Sequence, residues 1–179
     1  KIMKNKNSVV ELETRTAFQL GKPEESLESA KKWILMGPKN SEAKIYAIES
    51  LLALGDENEV NEYIKDLGIP DTDEIEEHLA ALKMECLLKQ EKVEETQQIL
   101  NDINETENLN VKLIWIYVKA QLGEIPDAEI EFDSVLNELS IIDQKQDILQ
   151  IGIDRNLVKT AMRVNRWNDA IQVAHDMAV

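Results

Sequence analysis

The sequence predicts an all-α fold, a solenoid of antiparallel helix pairs repeated along the chain. Three observations carry that expectation. Short polar breaks recur at Gly21, Gly55, Glu91, Gly123 and Asn165, giving spacings of about 34, 36, 32 and 42 residues, a period near that of helix-pair repeats. Each break lies between an apolar helix end and a second amphipathic helix, as in FQLGKPEESLESAKKW and AQLGEIPDAEIEFDSVL. With six glycines, four prolines and 4% aromatic residues in 179, the chain is poor in turn and strand formers, and no segment alternates with period two.

The expected pairs are 8–20 with 23–36, 41–54 with 57–67, 73–89 with 92–103, 109–122 with 126–139, and 142–164 with 166–178. They group into units of about 7–40, 41–70, 73–107, 108–140 and 142–179, all within one repeat domain spanning 1–179. A helix that stops and reverses within two or three residues ends best on a left-handed residue, the conformation that Gly21, Gly55 and Gly123 adopt without Cβ strain. Asn165 does the same less well. Glu91 does so only at a cost, so the third turn is expected to be built differently.

Pro23 and Pro126 fall at the start of the following helices, where a missing N–H is harmless. Acidic residues crowd the same first turns (Glu24, Glu25, Glu57, Glu59, Glu94, Glu95 and Asp127), matching the positive end of the helix dipole. Pro38 and Pro70 close units. Asp73 and Glu76 stand in capping-box spacing at the start of the third pair, and Gly152 marks an expected break near 152–155 in the long helix of the fifth.

Apolar stripes on the second helices run through Ala30 and Trp33, Val60 and Ile64, Ile99 and Leu100, Ala128 and Phe132, and Trp167 and Ala170. Trp33, Trp115 and Trp167 are therefore expected in the core between units. The first helices have wider apolar faces, as a helix flanked on two sides requires.

No motif for chemistry is present. Neither His78 nor His175 belongs to an HExxH or any i,i+4 histidine pair, and no GxxxxGK[ST] or GxGxxG occurs. The run 71–77 lacks the glycine and ligand spacing of a calcium loop. DQKQD at 143–147 lacks the paired aspartates of a magnesium-binding cluster. Asn104, Glu105 and Thr106 form a glycosylation triplet of the kind that arises by chance. Cys86, the single cysteine, excludes an internal disulfide framework and reads as a packing residue. Catalysis, a metal and a cofactor are accordingly not expected.

The net charge of −15 argues against nucleic acid as a partner. The charge is uneven, at +3 over 1–40, −14 over 41–110 and −4 over 111–179. The acidic middle reads either as a solubilising surface or as an attraction for a basic partner. No apolar run reaches the ~20 residues that span a bilayer, and no signal peptide is evident. A soluble protein is expected, with cytoplasmic location favoured over others. The chain does not open on Met and stops at AHDMAV, which reads as a piece of a longer protein.

The turns GKPEES, GEIPDAEIEF and NRWNDAI, the turn glycines, Ala128 and Ala170, Phe132 four residues after Ala128, and Pro38 together resemble the tetratricopeptide repeat family over nearly the whole chain. The array departs from the family pattern at Glu91, at Val60 and Thr96 where a small residue is usual, and in the long last spacing. Pentatricopeptide and clathrin-type helix pairs share the general pattern.

The resemblance implies a right-handed α-α superhelix whose first helices line a concave groove. Its register places Glu42, Ile45, Glu49, Leu52, His78, Glu85, Leu88, Leu113, Tyr117, Gln121, Arg155 and Lys159 in that groove. The Lys–Asn–Arg clamp of members that grip chaperone tails is absent, since its positions hold Glu11, Arg15, Tyr46, His78 and Leu82.

The implied function is a non-catalytic protein-interaction scaffold. Ile45, Leu52, Leu113 and Tyr117 would anchor a protein or peptide segment, and Glu42, Glu49 and Glu85 would favour a basic one. The alternative is a structural spacer or self-assembly segment, associating through an apolar C-terminal end at Met177–Val179.

Overall fold

The computed structural model describes residues 2–65, 74–103, 106–141 and 152–177. Among the described residues there are ten α-helices and no strand. The chain divides into two compact units, Lys1–Gly68 and Ile69–Val179. The first holds α1 (Ile2–Gln19), α2 (Pro23–Met36), α3 (Ser41–Leu54) and α4 (Glu57–Lys65). The second holds α5 (Glu74–Lys89), α6 (Val93–Asp102), α7 (Leu109–Gln121), α8 (Ile125–Ile141), α9 (Ile153–Arg163) and α10 (Trp167–Met177).

These helices fall close to the expected spans, except that α1 starts at Ile2, ahead of the expected 8, and α9 covers only the later part of the expected 142–164. Gly152, left-handed at φ +82°, is the residue before α9, so α9 begins at the expected break, and the part of the expected fifth-pair helix at 142–151 lies outside the described residues. Asp73, Pro70, the glycosylation triplet's Asn104 and Glu105, the 143–147 run and Ala178 and Val179 lie outside the described residues.

All five turns share one geometry. Gly21, Gly55, Glu91, Gly123 and Asn165 have φ of +66°, +74°, +61°, +91° and +62°. In each, the residue after the turn donates its N–H to the carbonyl five residues back: Lys22 to Ala17, Asp56 to Leu51, Lys92 to Leu87, Glu124 to Lys119 and Arg166 to Ala161. Each turn residue also donates to the carbonyl three back, and the two bonds together are a Schellman cap. The expectation of a differently built third turn is thus corrected. The two cap bonds hold Glu91 left-handed despite its Cβ.

Counting from the turn residue locates the packing positions. The residue five after it is buried in every pair: Ser26, Val60, Thr96, Ala128 and Ala170. The residue nine after it is buried at Ala30, Ile64, Leu100 and Phe132, one helical turn further along the same face. Val60 and Thr96 therefore occupy the small-residue position without exposing it. Two of the first helices, α3 and α7, start on asparagine caps: Asn40 Oδ1 accepts from Ala43 N, and Asn108 Oδ1 accepts from Asn110 N and Val111 N.

Two apolar clusters fill the second unit. One gathers Leu113, Ile116, Phe132, Val135, Leu157 and Val164. The other gathers Met84, Leu100, Val111, Ile114 and Val118. α7 contributes to both and touches α5, α6, α8 and α9, which explains why its apolar face is so wide. Trp33 is buried and Trp115 packs half-buried on the second cluster, as expected of core tryptophans. Trp167 is 53% exposed, which corrects its placement in the core. Ala170 fills the inward position of α10, and Trp167 stands at the helix's first residue, clear of the packed face.

Candidate functional site

The register position six residues before each turn carries Arg15, Glu49, Glu85, Tyr117 and Lys159. The position ten before carries Glu11, Ile45, Ala81, Leu113 and Arg155. These positions contain most of the residues expected to line a groove, and the structure separates those that reach an open surface from those that do not.

In the second unit, Glu85, Leu88, Tyr117 and Lys159 line a cavity of about 230 Å³ on the side shared by α5, α7 and α9. Lys89, Ile114, Asn156 and Thr160 complete its wall. Glu85 is only 2% exposed, and Arg155 Nε and Nη2 donate to its two oxygens at 2.8 Å each. Lys159 Nζ donates a third bond to Oε1. Burial pushes the Glu85 carboxyl up, but the bonds and charge of Arg155 and Lys159 outweigh that and hold it below the ordinary carboxylate range. The pair joins residues 70 apart, from α5 to α9, across the face of α7. Gln121 Nε2 donates to the Tyr117 hydroxyl at 2.9 Å, so Gln121 stands beside the cavity through Tyr117.

Leu113 and His78 are corrected as groove residues. Leu113 is 0% exposed because α7 packs between α5 and α9, which closes the position ten before its turn. His78 is 1% exposed, with Nδ1 3.4 Å from Asn110 Nδ2, so it neither lines a groove nor faces solvent. Asn156 Nδ2 in turn donates to Asn110 Oδ1 at 2.8 Å, and Thr160 Oγ1 to the Leu113 carbonyl at 3.1 Å. A buried polar thread thus ties the three first helices together beneath the cavity.

In the first unit, Ile45 is 0% exposed and Glu49 3% exposed, so neither presents a surface. Contact of α1 with α3 accounts for the closure at Ile45. Leu52 is half-buried. Glu42 is paired with Arg15, which also bonds Glu11 at 3.0 Å. Phe18 meets Tyr46 edge-to-face at 5.4 Å between centroids. The glutamates expected to attract a basic partner are therefore either closed off or already paired with cations of this chain.

Lys89 was overlooked in the sequence, although the register could have found it. It stands two residues before its turn, the same position as Gln121. Cys86 is 5% exposed, and burial, then the Glu85 charge, raise its thiol to about 11, which suits packing and not nucleophilic work. A second cleft of about 290 Å³ lies against Trp115, Ile116 and Val135, rimmed by Lys112, Glu131 and Glu138. Lys112 pairs with Glu107 and Glu138, and Lys119 with Glu131, so the charges on that rim offset one another. Among the described residues, no three His, Cys, Asp or Glu side chains gather as a metal site, and no helix is long and apolar enough to cross a membrane.

The fold defined by these pairs and turns is an all-α helical repeat of the tetratricopeptide type. It is similar to the crystal structure of a thermophilic tetratricopeptide-repeat protein of Thermus thermophilus, with a TM-score of 0.62 and 16% identity, covering 97% of this chain and 100% of that one. At that identity the likeness is one of fold. No family model matches the sequence, and no curated protein matches it.

Proposed function

We propose that this chain is a non-catalytic protein-interaction module that holds a segment of a partner protein in the cavity across α5, α7 and α9. The observation that carries the reading is the convergence of Leu88, Tyr117 and Lys159 from three successive first helices on one cavity. Such a surface combines an aliphatic wall, a cation and an aromatic ring with a polar tip, and tyrosine is among the residues enriched at interface hot spots. The repeat fold supports the reading by analogy.

The test is a selection of 12-residue phage-displayed peptides on the immobilised chain, repeated on Tyr117→Ala. Recovery of the selected pool should fall by about tenfold or more on the variant, the loss typical of an aromatic anchor. Equal recovery on the two chains overturns the groove reading.

A spacer or self-assembly role is favoured by a different observation: Trp167 and Ile171, one turn apart on α10, are 53% and 67% exposed. Sedimentation over a hundredfold concentration range checks it. Mass that rises with concentration, and that falls back in Trp167→Ser, would support stacking of copies.

A further inference from the structure

The cavity's charge is opposite in sign to that of the chain. Glu85 is the one carboxylate among the described residues that line it, and it is buried under its own partners. Its side chain is 2% exposed, whereas those of Arg155 and Lys159 are 30% and 39% exposed. Of these two cations Lys159 lines the cavity, so an approaching segment meets its ammonium and not the buried anion it covers, and Lys89 adds a second positive charge on the same wall.

The hydrogen-bonding character agrees with the charge. Lys159 is donor-only. With Gln121 donating to its oxygen, the Tyr117 hydroxyl turns its own proton to an acceptor. A carboxylate is the side-chain group that is both anionic and acceptor-only.

We propose that the segment held in this groove is acidic, with an Asp or Glu carboxylate seated on Lys159 beside Tyr117 and an apolar neighbour against Leu88 and Ile114. This rests on the groove reading above and fixes the partner's chemistry. The net charge of −15 does not oppose it at contact, because distant charges are screened over ~8 Å at physiological ionic strength while a bonded ion pair is not. Glu85 serves as the counter-charge that holds Lys159 at the cavity wall.

The test uses the full chain and the Tyr117-dependent peptide pool. Its Asp and Glu content should exceed that of the unselected library, and its Lys and Arg content should fall below it. Selection on Lys159→Glu should reverse the bias, and Lys159→Gln, the milder variant if the reversal unfolds the chain, should abolish it. An enriched peptide resynthesised with Gln for Glu should lose about tenfold in affinity for the native chain, the effect of one charge-assisted hydrogen bond, and almost none for Lys159→Gln. A Tyr117-dependent pool that is basic, or that has the library's composition, overturns the acidic partner and leaves the groove standing. A pool indifferent to Tyr117 overturns both.

Discussion

Glu91 holds a backbone conformation that the other turns leave to glycine or asparagine, with φ at +61°. A Cβ in that region costs roughly 1–2 kcal/mol. Glu91→Gly should therefore stabilise the chain by about 1 kcal/mol, somewhat offset by the greater freedom of glycine when unfolded. Gly123→Ala should do the opposite by a similar amount. No atom lies within 4 Å of where its Cβ would stand, so the effect is one of backbone strain without a clash. Urea melts of both variants against the parent chain would check the two signs. This turn is also where reading the sequence residue by residue fell short. The residue type argued for a different turn, while the repeat as a whole imposed the same Schellman cap.

A second residue-scale expectation concerns Glu85, whose carboxyl lies below the ordinary range in the folded chain because Arg155 and Lys159 overcome its burial. A depressed folded value means that the pair stabilises fully above the unfolded value of ~4.3 and stops doing so as pH falls through the folded one. Glu85→Gln should be about 1–3 kcal/mol less stable than the parent at pH 7, the loss expected when a hydrogen bond to a charged group is removed. The difference should vanish at the acid end. Melting temperatures from pH 7 to pH 2.5 would show the two curves converging, and parallel curves would show that the pair contributes nothing.

At the scale of elements, the second helices were nearly fully legible, because each needs to bury only one stripe and its inward residues recur at fixed distances from the turn. The first helices were less so. Ile45 and Leu113 share a register position with Arg155, yet both are closed by neighbouring helices, α1 at Ile45 and α5 and α9 at Leu113, whereas Arg155 remains about a third exposed. Spacing identifies a face, but how closely its neighbours approach decides whether that face is open. His78 was misplaced for the same reason, since its Asn110 neighbour comes from a helix 32 residues away. α7 also depends on a feature that was not singled out in its sequence, the cap from Asn108 to two of its first N–H groups. Asn108→Ala should cost about 1 kcal/mol. The same change at Asn101, exposed near the end of α6, should cost little, and paired thermal melts would separate cap from composition.

On the scale of the molecule, a helix-repeat array has no single centre, and its stability is set by what each helix touches. α7 differs from every other helix of the second unit in contributing to both apolar clusters: Leu113 and Ile116 to one, Val111, Ile114 and Val118 to the other. It cannot open without exposing both, whereas α10 contributes to one of them, through Ala170. Opening free energies in such arrays range from near zero at frayed ends to the global value at the most enclosed element. Native-state hydrogen exchange should therefore find the amides of α7 the last to exchange in the second unit and those of α10 the first. The cavity that Tyr117 and Lys159 line would then have its aromatic anchor on the helix slowest to exchange and its cation on α9, which packs on both α7 and α10. Binding of a segment there should slow exchange in α9 more than in α7, since protection can grow only where opening is still easy. Uniform slowing across both helices would mean that the groove does not divide in this way.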